Sequence, residues 1–600
     1  MENIFVEFLP PWIETGIQPA FYDKESGTVL QQTARMYARV NMLIRMFNKL
    51  SKETKKTVEE YIDKFNELHD YVMDYFANLD VQEEINNKLD AMAEAGTLAD
   101  IIADYIQLKG VLAYDSVADL KNATNIVNGS FVETYGFYAK GDGGGAKYKI
   151  RNITNDDTVD EILLIEITAD PLNQLVAELM IDDEMNIKQF GAKAYDENDP
   201  VDIKTNIEKA LSSDISCLMF DDSEYLVSLL NVERPIVIKG YGTTLLIRYS
   251  TPINQSGIFN IYQTSSVEID GIHFKPLVHS FTQDGRCVNI TESSNVTVKN
   301  CWFDNMNGDG IIATKSPDNE EDCVHHIYIY DNQFTGTGDG RNSITVFVGN
   351  NIFVHDNYFE NPTKADMPGC FDIEPYFISD YLFLHDIYFE NNVSKGCKGR
   401  MVDGGTATNI TMPIYNVVVS GNICDCTSYN SGFFSFSYGS PATGDIHNFV
   451  IKGNTVNCDV NTNRAITLNG MKNVDIIDNV FNNGWITLGG ALSSNVTDTN
   501  IKIIGNTFTR TTSSNLIGTQ FINIRLATDQ VVDVIDNKFI YEANQYVQPL
   551  MFLPASDQPT PTRIAVWSNT FLRPTTTTAS SICSNYTADL KGNVSDSYLT

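Results

Sequence analysis

A repeated pattern in the C-terminal part of the chain constrains the fold more than any other feature of the sequence. The pattern is apolar-x-apolar-x-x-Asn-x-apolar, and it recurs about every 30 residues, which is the range of solenoid repeats. An earlier, weaker copy places Gly271 at the asparagine position. We assign the repeated asparagine to Asn300, Asn332, Asn357, Asn392, Asn422, Asn454, Asn479, Asn506, Asn537 and Asn569.

The chemistry of one repeat predicts its geometry. Apolar residues at alternate positions predict a short strand with one face turned inward. The asparagine marks a tight corner, because its amide bonds to the backbone and tolerates a left-handed conformation. No helical pattern separates the strands, so βαβ units are excluded. We therefore predict a mostly β protein, a right-handed single-stranded parallel β-helix over residues 181–600. Its N-terminal cap is expected at 185–215 and its rungs at about 216–590, with the asparagines stacked in a ladder.

The first 110 residues have a different, helical character. Met36, Val40, Leu43 and Phe47 follow the 4-3 spacing of a coiled-coil seam, and the spacing continues through the next helix. A narrow apolar stripe of this length needs partner chains. We predict an α-helical coiled-coil region at 1–110 in a homotrimer; a monomeric helical hairpin is the alternative.

Residues 111–180 predict a small α+β hairpin module between these two regions. A short helix is expected over 116–120, and the run 136–150 is interpreted as strand, glycine turn and strand. The glycine run lacks the Gly-Lys-Ser/Thr of a phosphate-binding loop, so the hairpin interpretation is preferred.

Charge and composition exclude several classes of function. Lys and Arg number 42 against 77 Asp and Glu, a net charge of −35, so no long-range field attracts the chain to nucleic acid or to an anionic membrane. The sequence contains no run of 18 apolar residues, so no membrane-spanning segment is predicted. The N-terminus lacks a secretory signal, and we therefore expect synthesis in a cytoplasm. The ten cysteines form no metal-binding pattern and are expected to be reduced, mostly buried thiols.

Three segments carry a resemblance to a known family. Residues 5–12 (FVEFLPPW) and 21–35 resemble the N-terminal attachment region of appendage or tailspike proteins of short-tailed phages of Gram-positive bacteria. Residues 138–148 resemble a hairpin found before spike β-helices. Residues 186–193 (NIKQFGAK), followed by Asp199 and a helix over 202–211, resemble the N-terminal cap of pectate-lyase-like domains.

The resemblance implies a location and partners. It implies a trimeric virion tail or collar appendage, made in the host bacterial cytoplasm and docked on tail or collar proteins through residues 1–110. The β-helix is then expected to reach a host cell-wall polysaccharide or teichoic acid. The Asp-Asp and Gly-His-Gly patterns of pectin-cleaving relatives are absent, so pectin hydrolysis is not implied.

Cutting a glycan requires two carboxyl groups at one surface, one protonated and one ionised. In residues 371–375 (FDIEP), Phe371 and Ile373 are expected to face inward. Asp372 and Glu374 then point outward, roughly 7 Å apart along the strand. This separation suits inverting hydrolysis, although residues on adjacent rungs, about 4.8 Å apart, offer a closer pair, so inverting and retaining hydrolysis both stay open. Asp403 is expected beside Glu374 if Met401 faces outward. The full set of candidate catalytic residues is Asp372, Glu374, Asp403, Asp339 and Asp309.

The candidate substrate-binding residues are Arg341, Arg400, Tyr376 and Tyr438, while Phe433 and Phe436 suit either sugar contact or the core. No cofactor is expected, although a divalent cation at the acidic face is an alternative. Three functions remain open: an adsorption spike that also hydrolyses a wall polysaccharide or teichoic acid, a non-enzymatic receptor-binding spike, and a purely structural tail or collar fibre.

Overall fold

The computed structural model describes most of the chain from residue 112 onward. The described residues are Glu67, 112–124, 126–169, 174–248, 257–281, 285–315, 324–338, 340–361, 369–375, 382–405, 412–426, 432–437, 445–458, 464–489, 500–511, 520–526, 530–541, 549–554, 563–572, 583–584, 589–591 and 593–595. The coiled coil predicted within 1–110 lies outside them and stays a prediction.

A small five-stranded sheet precedes the repeats. Its strands run in the order β1-β2-β3-β5-β4, with β1 and β2 parallel and the other pairs antiparallel. Helix α1 (Val117–Lys121) begins after Ser116, whose hydroxyl accepts a hydrogen bond from the Asp119 amide, as expected for a helix cap. The strands are β1 Leu112–Tyr114, β2 Phe131–Thr134, β3 Lys147–Asn152, β4 Leu164–Glu166 and β5 Leu175–Leu179.

The hairpin of this sheet differs from the prediction. Its first strand ends at Thr134, before the predicted 136–140 segment. That segment is a turn, because the Asp142 carboxylate accepts hydrogen bonds from the backbone amides of Phe137, Tyr138 and Ala139 and so removes them from strand pairing.

Three long parallel sheets form the rest of the described chain. After the first strand of sheet A, which pairs with the next strand along the chain, consecutive strands pass from sheet A to sheet B to sheet C, and each pairs with the strand three places along. This is the topology of a parallel β-helix. Sheet A contains β6 Glu184–Asn186, β7 Cys217–Phe220, β10 Ile236–Gly240, β13 Ser265–Asp270, β16 Ser294–Lys299, β19 His325–Tyr330, β22 Gly349–His355, β25 Leu384–Glu390, β28 Ile414–Ser420, β31 Ile446–Lys452, β34 Lys472–Ile477, β37 Asn500–Ile504, β40 Val531–Ile535, β43 Arg563–Trp567 and β46 Asp589–Lys591.

Sheet B follows one corner later in each turn. Its strands are β8 Glu224–Val227, β11 Thr244–Ile247, β14 His273–Pro276, β17 Trp302–Asp304, β20 Gln333–Thr335, β23 Tyr358–Glu360, β26 Val393–Cys397, β29 Ile423–Cys426, β32 Thr455–Cys458, β35 Val480–Asn482, β38 Thr507–Arg510, β41 Lys538–Tyr541, β44 Thr570–Leu572 and β47 Val594–Ser595.

Sheet C completes each turn. Its strands are β9 Leu230–Val232, β12 Phe259–Tyr262, β15 Val288–Thr291, β18 Ile311–Thr314, β21 Ile344–Val346, β24 Gly369–Ile373, β27 Arg400–Gly405, β30 Gly432–Ser437, β33 Arg464–Asn469, β36 Trp485–Leu488, β39 Ile522–Leu526, β42 Leu550–Pro554 and β45 Cys583–Ser584. The predicted parallel β-helix is therefore confirmed.

The N-terminal end of the β-helix is covered by a short cap. Asn186 and Gln189 form a capping box around a 3-10 turn at Ile187–Phe190, and helix α2 (Lys204–Ser212) buries Ile207 and Ala210. Gly191 follows the turn with φ 79°, a left-handed conformation that suits glycine.

The side chains that point into the β-helix form one continuous hydrophobic core. Phenylalanines at the same level of successive turns stack on one another, for example Phe303 on Phe334 with ring centroids 4.6 Å apart. Burial of each such ring contributes about 1.5–3 kcal/mol. The row in sheet B comprises Phe274, Phe303, Phe334 and Phe359.

The predicted asparagine ladder lies at the corner between sheets A and B. At a typical level, the Asn422 amide nitrogen donates to the Asn454 Oδ1 atom at 2.9 Å and to the Phe389 carbonyl at 2.9 Å. The ladder members are buried or nearly so, and in the described chain they are Asn332, Asn357, Asn392, Asn422, Asn454, Asn479, Asn506, Asn537, Asn569 and Asn593.

Two predicted ladder positions are wrong by one residue. The Cys301 amide donates to Asn332 Oδ1 at 2.9 Å, so Cys301 holds the level that we assigned to Asn300. Asn300 and Gly271 instead hold the preceding corner position, with φ of 53° and 73°. The left-handed conformation therefore belongs to the residue before the ladder, as at Asp331 with φ 56°, because the ladder asparagine itself continues into the next strand.

Seven cysteines have described side chains, and all seven are buried, as predicted for them: Cys217, Cys287, Cys301, Cys370, Cys424, Cys426 and Cys458. Within the described residues, none of the helices has the length and apolar character needed to cross a membrane.

Candidate active site

Strand β24 places the predicted carboxyl pair on the outer side of sheet C. Phe371 and Ile373 face inward and are fully buried in the core, as the alternation predicted. Asp372 lies between them and is turned to the opposite side, with Thr345 of β21 and Asp403 of β27 as its partners in the parallel ladder. Adjacent strands are about 4.8 Å apart, so the two aspartates are immediate neighbours.

Asp372 lies beneath the surface, although it was predicted to be exposed. Only 2% of the residue is accessible, and its Oδ2 accepts a hydrogen bond of 2.8 Å from the Asn342 amide. Burial raises the pKa of Asp372 well above its ordinary value, and the charges of Glu374, Asp403 and Asp309 raise it further. The surroundings of Asp372 therefore favour its protonated form.

Glu374 is the accessible member of the pair. Its side chain is 36% exposed, and one carboxylate oxygen lies 3.6 Å from the Arg341 guanidinium. Burial raises the pKa of Glu374, while Arg341 and a hydrogen bond with Asp372 oppose the rise. Because the two carboxyl groups share this hydrogen bond, Asp372 and Glu374 titrate together as one proton-sharing unit.

Asp403 does not lie beside Glu374. Val402 pairs with the inward Phe371, which aligns Asp403 with Asp372, and Met401 is fully buried. The condition under which we expected Asp403 beside Glu374, an outward Met401, is therefore not met, because the register follows from the inward residue at each level.

Asp403 is paired with Arg400. The Arg400 guanidinium donates to Asp403 Oδ2 at 2.7 Å, and the two side chains are 42% and 13% exposed. Burial raises the pKa of Asp403 to about 6, against the opposing effect of Arg400. Asp403 is therefore an ionised carboxylate above pH 6 and lies at the surface beside a protonated neighbour.

Asp309 and Arg341 support the pair from the previous turn. Arg341 donates to Asp309 Oδ2 at 2.5 Å, and the Asn342 backbone amide lies 3.3 Å from Oδ1. The Asp309 side chain is completely buried, and burial raises its pKa to about 6 against the effect of Arg341. Arg341 thus bridges Asp309 and Glu374, and Asp309 is a positioning residue because it has no access to a substrate.

Asn342 is the main residue of the site that the sequence analysis missed. Its amide nitrogen bonds to both Asp372 and the Thr345 hydroxyl, at 2.8 and 3.1 Å. Nothing in the sequence distinguishes Asn342 from the many other turn asparagines, since its role depends on the register of β21 against β24.

The other predicted site residues divide into two groups. Phe433 and Phe436 are fully buried and belong to the core. Asp339, Tyr376 and Tyr438 lie outside the described residues, and their roles stay predictions.

The outward row that holds the two aspartates continues as a polar strip. On the following strands of sheet C, the residues that pair in succession after Asp403 are Ser435, Thr467, Thr487 and Asn523. On the same face, the side-chain oxygen of Asn469 is buried and has no hydrogen-bond partner. Such hydroxyl and amide groups match the donors and acceptors of a sugar polymer.

A divalent cation at the acidic face stays an untested alternative. Among the residues that the structure describes, no group of three or more His, Cys, Asp or Glu side chains is arranged to hold a metal ion. Arg341 and Arg400 already balance part of the carboxylate charge.

Comparisons by sequence identify no relative: no family model matches, and no curated protein matches. Solved structures do match. The N-terminal fragment of gene product 12 of bacteriophage Phi29 has a TM-score of 0.50 and 14% identity, covering 69% of this chain and 71% of that one.

Two phage tailspike proteins match at lower scores. The tailspike gp49 of the Acinetobacter baumannii bacteriophage Fri1, a capsular polysaccharide depolymerase, has a TM-score of 0.37 and 13% identity over 75% of this chain and 77% of that one. The tailspike of E. coli bacteriophage HK620, solved with a pentasaccharide, has a TM-score of 0.41 and 14% identity over 68% and 70%. At these identities the likeness shows the fold alone, and the described chain has the parallel β-helix fold found in the Phi29 gene product.

Proposed function

We propose that the protein is a virion tail appendage of the tailspike type, which adsorbs to the host cell surface and hydrolyses a wall polysaccharide or teichoic acid. The observation that carries the proposal is the group of four carboxyl residues at sheet C, two of them buried, with raised pKa values beside two arginines: Asp309, Asp372, Glu374 and Asp403 with Arg341 and Arg400. Displaced pKa values of this kind are typical of acid–base chemistry.

In the proposed reaction, Glu374 is the general acid. It donates its proton to the leaving oxygen as the bond to the sugar carbon or to phosphorus breaks, and Asp372 beneath it replaces that proton. Asp403, ionised above pH 6, removes a proton from the attacking water, whose oxygen forms the new bond. One water is consumed. Asp372 has then lost one proton and its ladder partner Asp403 has gained one, and transfer of that proton from Asp403 back to Asp372 restores the starting state.

Two substrate chemistries fit the site for different reasons. The paired carboxyl groups fit a glycosidic bond, where charge develops on a sugar carbon. Arg400, which is 42% exposed, fits the phosphodiester of a teichoic acid, because a guanidinium binds phosphate oxygens in pairs. The net charge of −35 disfavours a polyanion away from these arginines.

The likeness in fold to the phage proteins supports the proposed location, and the resemblance of residues 5–35 supports docking on tail or collar proteins through residues 1–110. The proposal includes assembly as a homotrimer through the predicted coiled coil.

The test is an assay of the purified full chain on cell-wall polysaccharides and teichoic acids, in which binding, reducing ends and phosphomonoesters are all measured. Release of either product, lost in Glu374→Gln and kept in Glu360→Gln on sheet B, supports the proposal. Binding without release indicates a receptor-binding spike. Absence of both indicates a structural fibre.

A further inference from the structure

Sheet A has an outward surface that the proposed catalytic site does not use. At five successive levels, one outward row holds only apolar or aromatic side chains: Tyr328, Phe353, Tyr388, Val418 and Val450. From the next level the apolar residues continue in the adjacent outward row as Ile477, Ile504, Ile535 and Trp567. These nine residues are called the sheet A strip, and each is partly exposed in the single chain.

The strip is long and narrow. It extends from β19 to β43, eight steps of about 4.8 Å, or about 38 Å along the β-helix. Where the strip passes from one outward row to the next, it moves along the strands by two residues, about 7 Å. The mean direction of the strip is therefore at about 10° to the β-helix axis. A contiguous apolar surface of this length on an acidic protein marks an interaction site.

The arrangement of the rings excludes sugar as the partner. Tyr328 stacks on Phe353 with centroids 5.2 Å apart and planes within 5°, and Phe353 stacks on Tyr388 at 4.9 Å and 4°. The faces of these rings therefore cover one another, and only their edges point outward. A sugar ring binds against an open aromatic face, whereas ring edges and Val or Ile side chains pack against other apolar side chains.

Charge favours a second copy of this chain as the partner. The nine strip positions carry no charged residue, in a chain whose net charge is −35. Two copies repel each other wherever their acidic surfaces meet, so contact is least opposed along the strip itself, although the neighbouring outward positions include Glu390, Asp475 and Asp533. A copy of the same β-helix also repeats its side chains every 4.8 Å or so, which matches the spacing of the strip along its full length.

We infer that the sheet A strip is the surface through which copies of this chain pack side by side, turned toward a common axis and tilted by about 10°. This inference rests on the trimer included in the proposed function and adds which face of the β-helix lies inside it. Sheet C, with the carboxyl cluster, then remains on the outside of the assembly.

Site-specific photo-crosslinking of the full chain tests the inference. The photoreactive residue p-benzoylphenylalanine is placed at Tyr388 or Ile504 in the strip, and at Lys395 as the control. Lys395 is exposed on sheet B in the same turn as Tyr388, so it samples the same level of the β-helix on another face. Melting temperatures within 3 °C or so of the parent establish that each variant is folded.

The expected result is intermolecular crosslinking at both strip positions at least fivefold above that at Lys395, with products of two and three chains. If the mass in solution is trimeric but crosslinking at Tyr388 and Ile504 does not exceed that at Lys395, the inference is overturned. The trimer then still stands, since the helical region alone would hold the copies together. A monomeric mass overturns both. Equal crosslinking at strip and control also overturns the inference.

Discussion

Asp372 and Asp403 are direct partners on adjacent strands of sheet C, and the two carboxyl groups have different environments. Asp372 is almost completely buried and is bonded to Asn342, whereas Asp403 is partly exposed and paired with Arg400. The surroundings of Asp372 thus favour its neutral form, while Asp403 ionises above pH 6. Separated pKa values in adjacent carboxyl groups are the arrangement that acid–base hydrolysis requires.

The first prediction concerns the buried member of this pair. Asp372→Asn is expected to lower hydrolysis by about 10²–10⁴-fold, because the amide cannot replace the proton that Glu374 gives up. The folded protein should hardly change, since Asp372 is already neutral and an amide oxygen still accepts the bond from Asn342. Turnover and melting temperature are measured together. Full activity, or equal loss of activity and stability, would contradict the proton-sharing role.

The second prediction concerns the pH dependence of hydrolysis. Arg400 lowers the pKa of Asp403, so Arg400→Gln should raise that pKa above about 6. Asp403 acts in its ionised form, and activity therefore falls as pH drops through its pKa. The acidic limb of the kcat/KM profile is expected to move to higher pH by on the order of one unit. The control Lys395→Gln removes a charge on sheet B and should leave the acidic limb of the profile unchanged. If the acidic limb does not move in Arg400→Gln either, Asp403 is not the general base.

The third prediction follows from the linkage between protonation and folding. The pKa of Asp403 is about 6 in the folded chain and near 4 when unfolded, so the folded state binds the proton more tightly. The contribution of Asp403 to stability is therefore fully present below pH 4 and is lost as pH rises through 6. Asp403→Asn removes this loss.

The variant Asp403→Asn is expected to be more stable than the parent at pH 7.5, by about 1–3 kcal/mol, and equal to it near pH 4. Melting temperatures at the two pH values measure the difference. A variant that is less stable at pH 7.5 would show that the Arg400 ion pair outweighs the cost of burying the charge.

Much of the fold was predictable because each turn repeats one local pattern. The spacing of Ile329, Asn332 and Phe334 alone assigns a strand, a corner and the next strand. The pattern does not separate the left-handed corner residue from the ladder residue that follows it. For that reason Asn300 was assigned to the level that Cys301 holds.

The site was predictable only within a single strand. Alternation along β24 correctly turned Asp372 and Glu374 away from Phe371 and Ile373. The neighbour of each residue on the next turn depends on the length of the intervening loops, which varies from turn to turn. The pairing of Asp403 with Asp372 and the bond from Asn342 therefore became visible only in the structure.

The last prediction tests the asparagine ladder as a source of stability. Asn422→Ala removes the acceptor of the Asn392 backbone and side-chain amides and the donor to the Phe389 carbonyl, all of them buried. Each unsatisfied buried group costs about 1–3 kcal/mol, so a loss of several kcal/mol is expected. Asn482→Ala is the matched control, because Asn482 is only half-buried and makes one bond, of 2.7 Å, to Asn457. Its expected cost is about 0.5–1.5 kcal/mol. Thermal unfolding and protease resistance of the two variants are compared, and equal losses would show that the ladder amides contribute no more than ordinary surface hydrogen bonds.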